Sequence, residues 1–233
     1  MKPELKVIII GAGGVASYLL PVLNKTFKLS GMLYDADIHE ERNLDRQKFD
    51  NRYIGLNKAM ALLTHNKIND IAPVMEYWDD NSLIDNWRQL IDAEIQLIIC
   101  VADNHRARRD ALEVGDRLNL PVFIAANALS TSQAYVYLPS WIALPQDPRV
   151  RYPELLTEDG NSPLSCQGEL QEAEPQLAIA NQVAASFLCW LIWLWRDDTS
   201  YPHKAVEFQS TLASIQTVTV KDCENEQKAK SRK

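Results

Sequence analysis

Apolar and polar positions along this chain follow two alternating rhythms. Residues 5–10 (Leu-Lys-Val-Ile-Ile-Ile) are almost wholly apolar and stop at Gly11-Ala12-Gly13-Gly14, after which apolar residues return at helical spacing over 15–23. The expected local structure is strand, tight turn, helix. Residues 31–35 read as a second strand, 57–66 as a helix, and 81–94 as another with Ser82 as its N-cap. The apolar run 95–101 is a buried strand, followed by a helix over 106–118 and a strand over 122–125. Strands that alternate with amphipathic helices predict an α/β fold. Its core would be a Rossmann-like, mostly parallel sheet with helices on both faces.

Beyond Ala126 the rhythm changes. Residues 133–138 alternate like a half-exposed strand, and 139–163 hold five of the eleven prolines without a clear period, as expected of a loop or crossing arm. Residues 176–195 return as a strongly apolar helix, and 206–208 and 214–220 read as late antiparallel strands that extend the sheet. The polar stretch 221–233 is expected to be a disordered tail. The uninterrupted apolar part of the late helix, 187–195, is under half of the roughly 20 residues a membrane span needs. A buried or interface helix carrying Phe187, Trp190, Trp193 and Trp195 is expected instead, and no membrane partner.

Composition narrows the class. With 233 residues, 46% of them hydrophobic, the chain can own a sizeable core, and a net charge of −7 disfavours a nucleic-acid partner. Four cysteines without a CxxC pair, and a start lacking a secretory apolar stretch, fit a cytoplasmic protein with free thiols. The histidines form no i, i+4 pair and are expected at the surface or hydrogen-bonded.

The chemistry concentrates in the first half. Gly11-x-Gly13-x-x-Ala16 between a strand and a helix is suited to a phosphate, because missing side chains let the chain approach it at a helix N-terminus. Gly14 extends this loop, and Asp35, 24 residues after Gly11, stands where a ribose hydroxyl would meet a carboxylate. Asp37, Asn43, Arg46, Gln47 and Lys58 follow, and a dinucleotide site does not need them. A triphosphate concentrates more charge and calls for cations and a metal, for which Arg46, Lys58 and Asp103 are the candidates. Asp103-Asn104 also reads as a turn or helix cap.

Together, Gly-Ala-Gly-Gly-Val-Ala-Ser (11–17), Asp-Ala-Asp (35–37), Asn-Leu-Asp-Arg-Gln (43–47), Gly55-x-x-Lys58-Ala59 and Asp103-Asn104-x-x-x-Arg108 resemble the ThiF/MoeB/ubiquitin-activating superfamily over about residues 5–138. Ser165-Cys166 and Gln176-x-x-x-x-Asn181-Gln182-x-x-Ala185 are similar, more loosely, to stand-alone ThiF proteins of PRTRC systems. The resemblance implies one adenylation domain over 1–220. Its parts would be a nucleotide-binding core (1–140), a crossing loop (141–175), and an apolar helix with late strands (176–220). It implies ATP and Mg²⁺, attack of a ubiquitin-like or small peptide partner's C-terminal carboxylate on the α-phosphorus, release of pyrophosphate, and a homodimer. Carried over by position, Asp35 would hold the ribose, Asn43, Arg46 and Lys58 the triphosphate, and Asp103 the metal, with Gln47 as a hydrogen-bonding neighbour.

Three features depart from the pattern. Only six residues precede Val7 and none is the arginine that many relatives place there, zinc-binding CxxC pairs are missing so no zinc is expected, and the crossing loop offers only Cys166 for a thioester. Cys166 reads equally as a structural thiol, whereas Cys100 and Cys189 fall in core elements. Two other functions compete: a non-catalytic nucleotide-binding scaffold, and a nicotinamide-dependent oxidoreductase that leaves the 43–58 motif unexplained.

Overall fold

A computed structural model describes residues 2–78, 94–128, 130–156, 177–197, 205–211 and 213–230. Among these residues eight strands form one sheet: β1 (Glu4–Ile10), β2 (Lys28–Tyr34), β3 (Ile71–Val74), β4 (Leu97–Cys100), β5 (Val122–Asn127), β6 (Ser132–Tyr137), β7 (Ala205–Ser210) and β8 (Ile215–Thr219). Their order is β3-β2-β1-β4-β5-β6-β7-β8. The first five run parallel, with Ile10 opposite both Tyr34 and Cys100, and the last three are antiparallel, as the late alternating pattern predicts. The helices among the described residues are α1 (Gly14–Thr26), α2 (Lys58–His65), α3 (His105–Leu118), α4 (Pro148–Arg151), α5 (Ala178–Asp197) and α6 (Val220–Lys230).

Strand alternation sorts the two faces of the sheet. Ser132 Oγ donates to the Ala180 carbonyl of α5, while Tyr137, an odd number of positions away, reaches Asp116 of α3 on the opposite face. On the α5 face Phe123 meets Trp195 and Phe187 stacks on Phe208. Helix α5 is long and apolar enough to cross a membrane, yet Ala184, Leu188, Leu191 and Ile192 are buried. The carboxyl ends of β1 and β4 lie side by side where the strand order reverses, which is where open α/β sheets bind ligands.

Three local readings change. Strand β3 is not evident from sequence because it contains Pro73, which is tolerated because β3 lies at the edge of the sheet. Within 139–156 the prolines break the chain into short helical turns, Pro139–Trp141, α4 and Pro153–Leu156, with Asp147 capping α4 through the Arg149 N–H. The stretch from Lys221 is a helix to Lys230. Thr219 and Asp222 form a reciprocal cap: the Asp222 N–H donates to Thr219 Oγ1 and the Thr219 N–H to Asp222 Oδ2, at 3.3 and 2.9 Å. Cys223 on α6 is buried and accepts from Arg151. The helix expected over 81–94 lies, apart from its last residue, outside the described residues, as does Cys166.

Candidate active site

The glycine loop is shaped by its approach to β4. Gly11 has φ +94°, and a Cβ there would stand 3.0 Å from the Ala102 nitrogen and 3.1 Å from the Val101 carbonyl carbon, so any side chain would push the loop off the sheet. Gly13 caps α1 without a side-chain acceptor, and the first turn of α1 carries no acidic residue. The helix thus presents its amino end, with its partial positive charge, uncapped at the sheet edge.

Asp35 braces this loop. Its Oδ2 accepts from the Ala12 N–H at 2.7 Å and its Oδ1 from the Asp37 N–H at 2.8 Å. Burial nevertheless outweighs these bonds and the Lys58 charge, and raises its carboxyl above the ordinary value. Asp37 is 44% exposed and pairs with Lys58 Nζ at 2.7 Å, while the Tyr77 hydroxyl donates to its other oxygen at 2.8 Å. Burial pushes this carboxyl up too, but the Lys58 charge and hydrogen bond, with Tyr77 and Arg42, bring it below the usual range. The two aspartates are therefore tuned apart. Asn57 holds the pair together: its Nδ2 donates to the Asp35 and Asp37 carbonyls at 2.7 and 3.1 Å, and its Oδ1 caps α2 through the Ala59 and Met60 N–H groups.

The 43–47 segment wraps over α1. Asn43 is buried, and its Oδ1 accepts from the Glu40 N–H at 3.0 Å, which shapes the turn. Arg46 Nη1 donates to the Arg42 carbonyl and to Asp45, at 2.9 and 3.0 Å. Gln47 is buried beside Gly13, with Oε1 lacking a partner. On the other side of the glycine loop, Asn104 takes the cap of α3 through the Ala107 N–H, leaving Asp103 exposed in the β4–α3 turn. Among the described residues no trio of His, Cys, Asp or Glu stands ready to hold a metal. Asp103, exposed in its turn, is the candidate to share a hard cation with oxygens of a ligand, the donor set Mg²⁺ takes with phosphates.

The structure thus brings Gly11, Gly13, Gly14, Asp35, Asp37, Arg46, Gln47, Lys58 and Asp103 to one edge of the sheet. Sequence reasoning assigned no role to Asn57, although an Asn immediately before a helical run is a cap signature. Ser17, Tyr77 and Asn181 also went without one, and only the fold reveals their contacts. His39 departs from expectation as well, being fully buried, stacked on Phe49 at 4.4 Å, with neither ring nitrogen hydrogen-bonded.

The ThiF family model matches residues 3–222. The chain belongs to the ThiF family. No curated protein matches it in sequence. Among solved structures, this ThiF-family chain resembles Escherichia coli MccB with AMPCPP and MccA (TM-score 0.66, 19% identity), covering 93% of this chain and 64% of that one. It also resembles E. coli MccB with ATP (TM-score 0.65, 19% identity, 93% and 63% covered) and PaaA (TM-score 0.65, 16% identity, 93% and 64% covered). It spans a little under two thirds of these relatives' length.

Proposed function

We propose that this ThiF-family chain adenylates the C-terminal carboxylate of a small peptide or ubiquitin-like partner at the expense of ATP. The observation that carries this reading is the meeting of an uncapped α1 amino end with two basic side chains, Arg46 and Lys58, and an exposed carboxylate, Asp103, at one sheet edge. MccB, solved with ATP and with the peptide MccA, supports both the nucleotide and the peptide class.

In this reading the glycine-loop amides and the α1 dipole meet a phosphate, and Asp35 and Asp37 face the ribose hydroxyls. Lys58 exchanges Asp37 for phosphate oxygens, and Arg46 exchanges Asp45; the carboxylates given up are 44% and 70% exposed, so water can solvate them once they are released. Asp103 would hold Mg²⁺ together with phosphate oxygens, and the ion would draw charge from the phosphates. The partner's carboxylate oxygen attacks the α-phosphorus, the bond to the bridging oxygen breaks, and pyrophosphate departs with that electron pair. Fixed positive groups stabilise the charge that builds on the leaving oxygen. In the proposed follow-on step Cys166, having given its proton to solvent, attacks the acyl carbon of the adenylate: the thioester C–S bond forms, the acyl–phosphate C–O bond breaks, and AMP departs with that electron pair. A homodimer through α5 belongs to the same reading, because Ile179, Trp190 and Trp193 are 63%, 60% and 41% exposed there.

ATP–pyrophosphate exchange, with small peptides and ubiquitin-like proteins as acyl donors, tests the proposal. Exchange should require a free C-terminal carboxylate and vanish when that carboxylate is amidated. Exchange that persists with amidated partners, or that survives both Arg46→Ala and Asp103→Ala, would overturn it.

A further inference from the structure

Asn181 is a fully buried polar side chain in the first turns of α5, a helix whose other buried positions are small or apolar. A buried primary amide is costly unless its groups are paired. Its Nδ2 donates to the main-chain carbonyl of Arg46 at 3.2 Å, across 135 positions of sequence, while its Oδ1 has no partner among the described residues. A leucine would leave no orphan oxygen there, but the Arg46 carbonyl would lose its donor. The amide also fills the space left by Gly14, since a Cβ on that residue would lie 2.5–2.6 Å from the Asn181 amide atoms. One side chain thus touches both the glycine that opens α1 and the backbone of the arginine expected at the phosphates.

The other side of Arg46 is fastened too. The Lys48 N–H donates to Ser17 Oγ at 2.9 Å, and that hydroxyl donates to the Gly14 carbonyl at 2.7 Å. The two attachments bracket Arg46–Gln47 and set the backbone of that pair against the amino end of α1. The Arg46 side chain, by contrast, is held among the described residues only by the Arg42 carbonyl and by Asp45, which is 70% exposed. Its backbone is fixed while its guanidinium can exchange partners.

We propose that Asn181 is a positioning residue which, through the Arg46 carbonyl, sets the Arg46 guanidinium over the polyphosphate end of the nucleotide. This rests on the adenylation reading and deepens it. A residue acting only through Arg46 must matter for a triphosphate and hardly at all for a monophosphate, whereas a merely structural role would weaken both.

Calorimetric titration of the full chain with ATP and with AMP, each in the presence of Mg²⁺, makes the test. The variants are Asn181→Asp, which keeps the volume and loses the donor, Asn181→Ala, which introduces no charge, Arg46→Ala, and Asn181→Ala combined with Arg46→Ala. Either Asn181 variant that melts cooperatively should bind ATP about ten-fold more weakly and AMP within about two-fold of the parent. In the Arg46→Ala background, Asn181→Ala should add no further loss for ATP. Equal losses for ATP and AMP, additive losses in the combined variant, or parental ATP affinity in both Asn181 variants would overturn the role of Asn181 alone. Failure of the parent chain to bind ATP would overturn the adenylation reading, and this inference with it.

Discussion

The two halves of the sheet hold their charges in opposite ways. Beneath β6 and β7, on the face away from α5, Glu207 is fully buried and accepts from the Tyr152 hydroxyl at 2.7 Å, Arg151 Nη2 at 3.0 Å, and the amides of Gln133 and Gln209. Arg149 next to it lies between Asp116 and Asp147, at 2.6 and 3.0 Å, against the Tyr137 ring. Each charge there has an opposite charge in contact and little water. At the glycine-loop edge, Lys58 and Arg46 are paired with carboxylates that are 44% and 70% exposed, and Asp103 faces solvent. Buried, enclosed charges are expensive to separate and serve the architecture; cations whose partners sit in water can trade them for a ligand. Richness in polar contacts therefore does not mark the site. In the proposal, cations with water-accessible partners beside the amino end of α1 do.

Breaking each half should give a different signature. The largest effect is expected from Arg151→Ala, which leaves Glu207 buried without its cation: a loss of about 3–5 kcal/mol in urea unfolding, with ATP affinity of the folded protein within about two-fold of the parent. A comparable loss of ATP affinity would mean the two halves are one functional unit. Next comes Lys58→Ala, which should cut ATP–pyrophosphate exchange about 100-fold while changing unfolding free energy by no more than about 1 kcal/mol. A Lys58→Ala chain that fails to fold would place this pair with the structural charges instead.

A smaller effect concerns acid stability. The Asp37 carboxyl is lowered in the fold, so its contribution is present above the ordinary carboxylate value, near pH 4, and is lost as pH falls through the lower folded value. Asp35 is raised and has the opposite sign: its protonated form is favoured, a contribution present below the ordinary value and lost as pH rises through the folded one. Asp37→Asn should therefore flatten the acid limb of the stability–pH curve, measured by urea unfolding, and an unchanged limb would contradict the pairing. The smallest signal is chemical. Burial pushes the Cys100 thiol up to about 11 and the Cys189 thiol up to about 12, so iodoacetamide at neutral pH should leave both unmodified in the native chain, as read by mass spectrometry.

Much of the first half was legible because its signals are local. The apolar run before Gly11, the helical spacing after Gly14, and Asp35, Arg46 and Lys58 at short intervals all lie within 60 residues, and strand–turn–helix order alone brings most of them to one edge. The roles that stayed hidden depend on contacts distant in sequence. Asn181 meets Arg46 and Gly14 only because α5 folds back beside α1, and Tyr77 reaches Asp37 only because β3 pairs with β2. Helix α6 was hidden for another reason: it lacks an apolar stripe, and its start is signalled only by the Thr219–Asp222 cap. Asn43 has a structural part that the motif did not signal: its Oδ1 accepts from the Glu40 N–H and shapes the loop.

The central proposal is that Lys58, Arg46 and Asp103 at the glycine-loop edge hold a triphosphate. Calorimetric titration of the full chain with ATP and with NADH, each with and without Mg²⁺, tests it without needing the acyl partner. ATP should bind, more tightly with Mg²⁺ and with that gain lost in Asp103→Ala, while NADH should not bind. Tight NADH binding with no ATP binding would contradict the account.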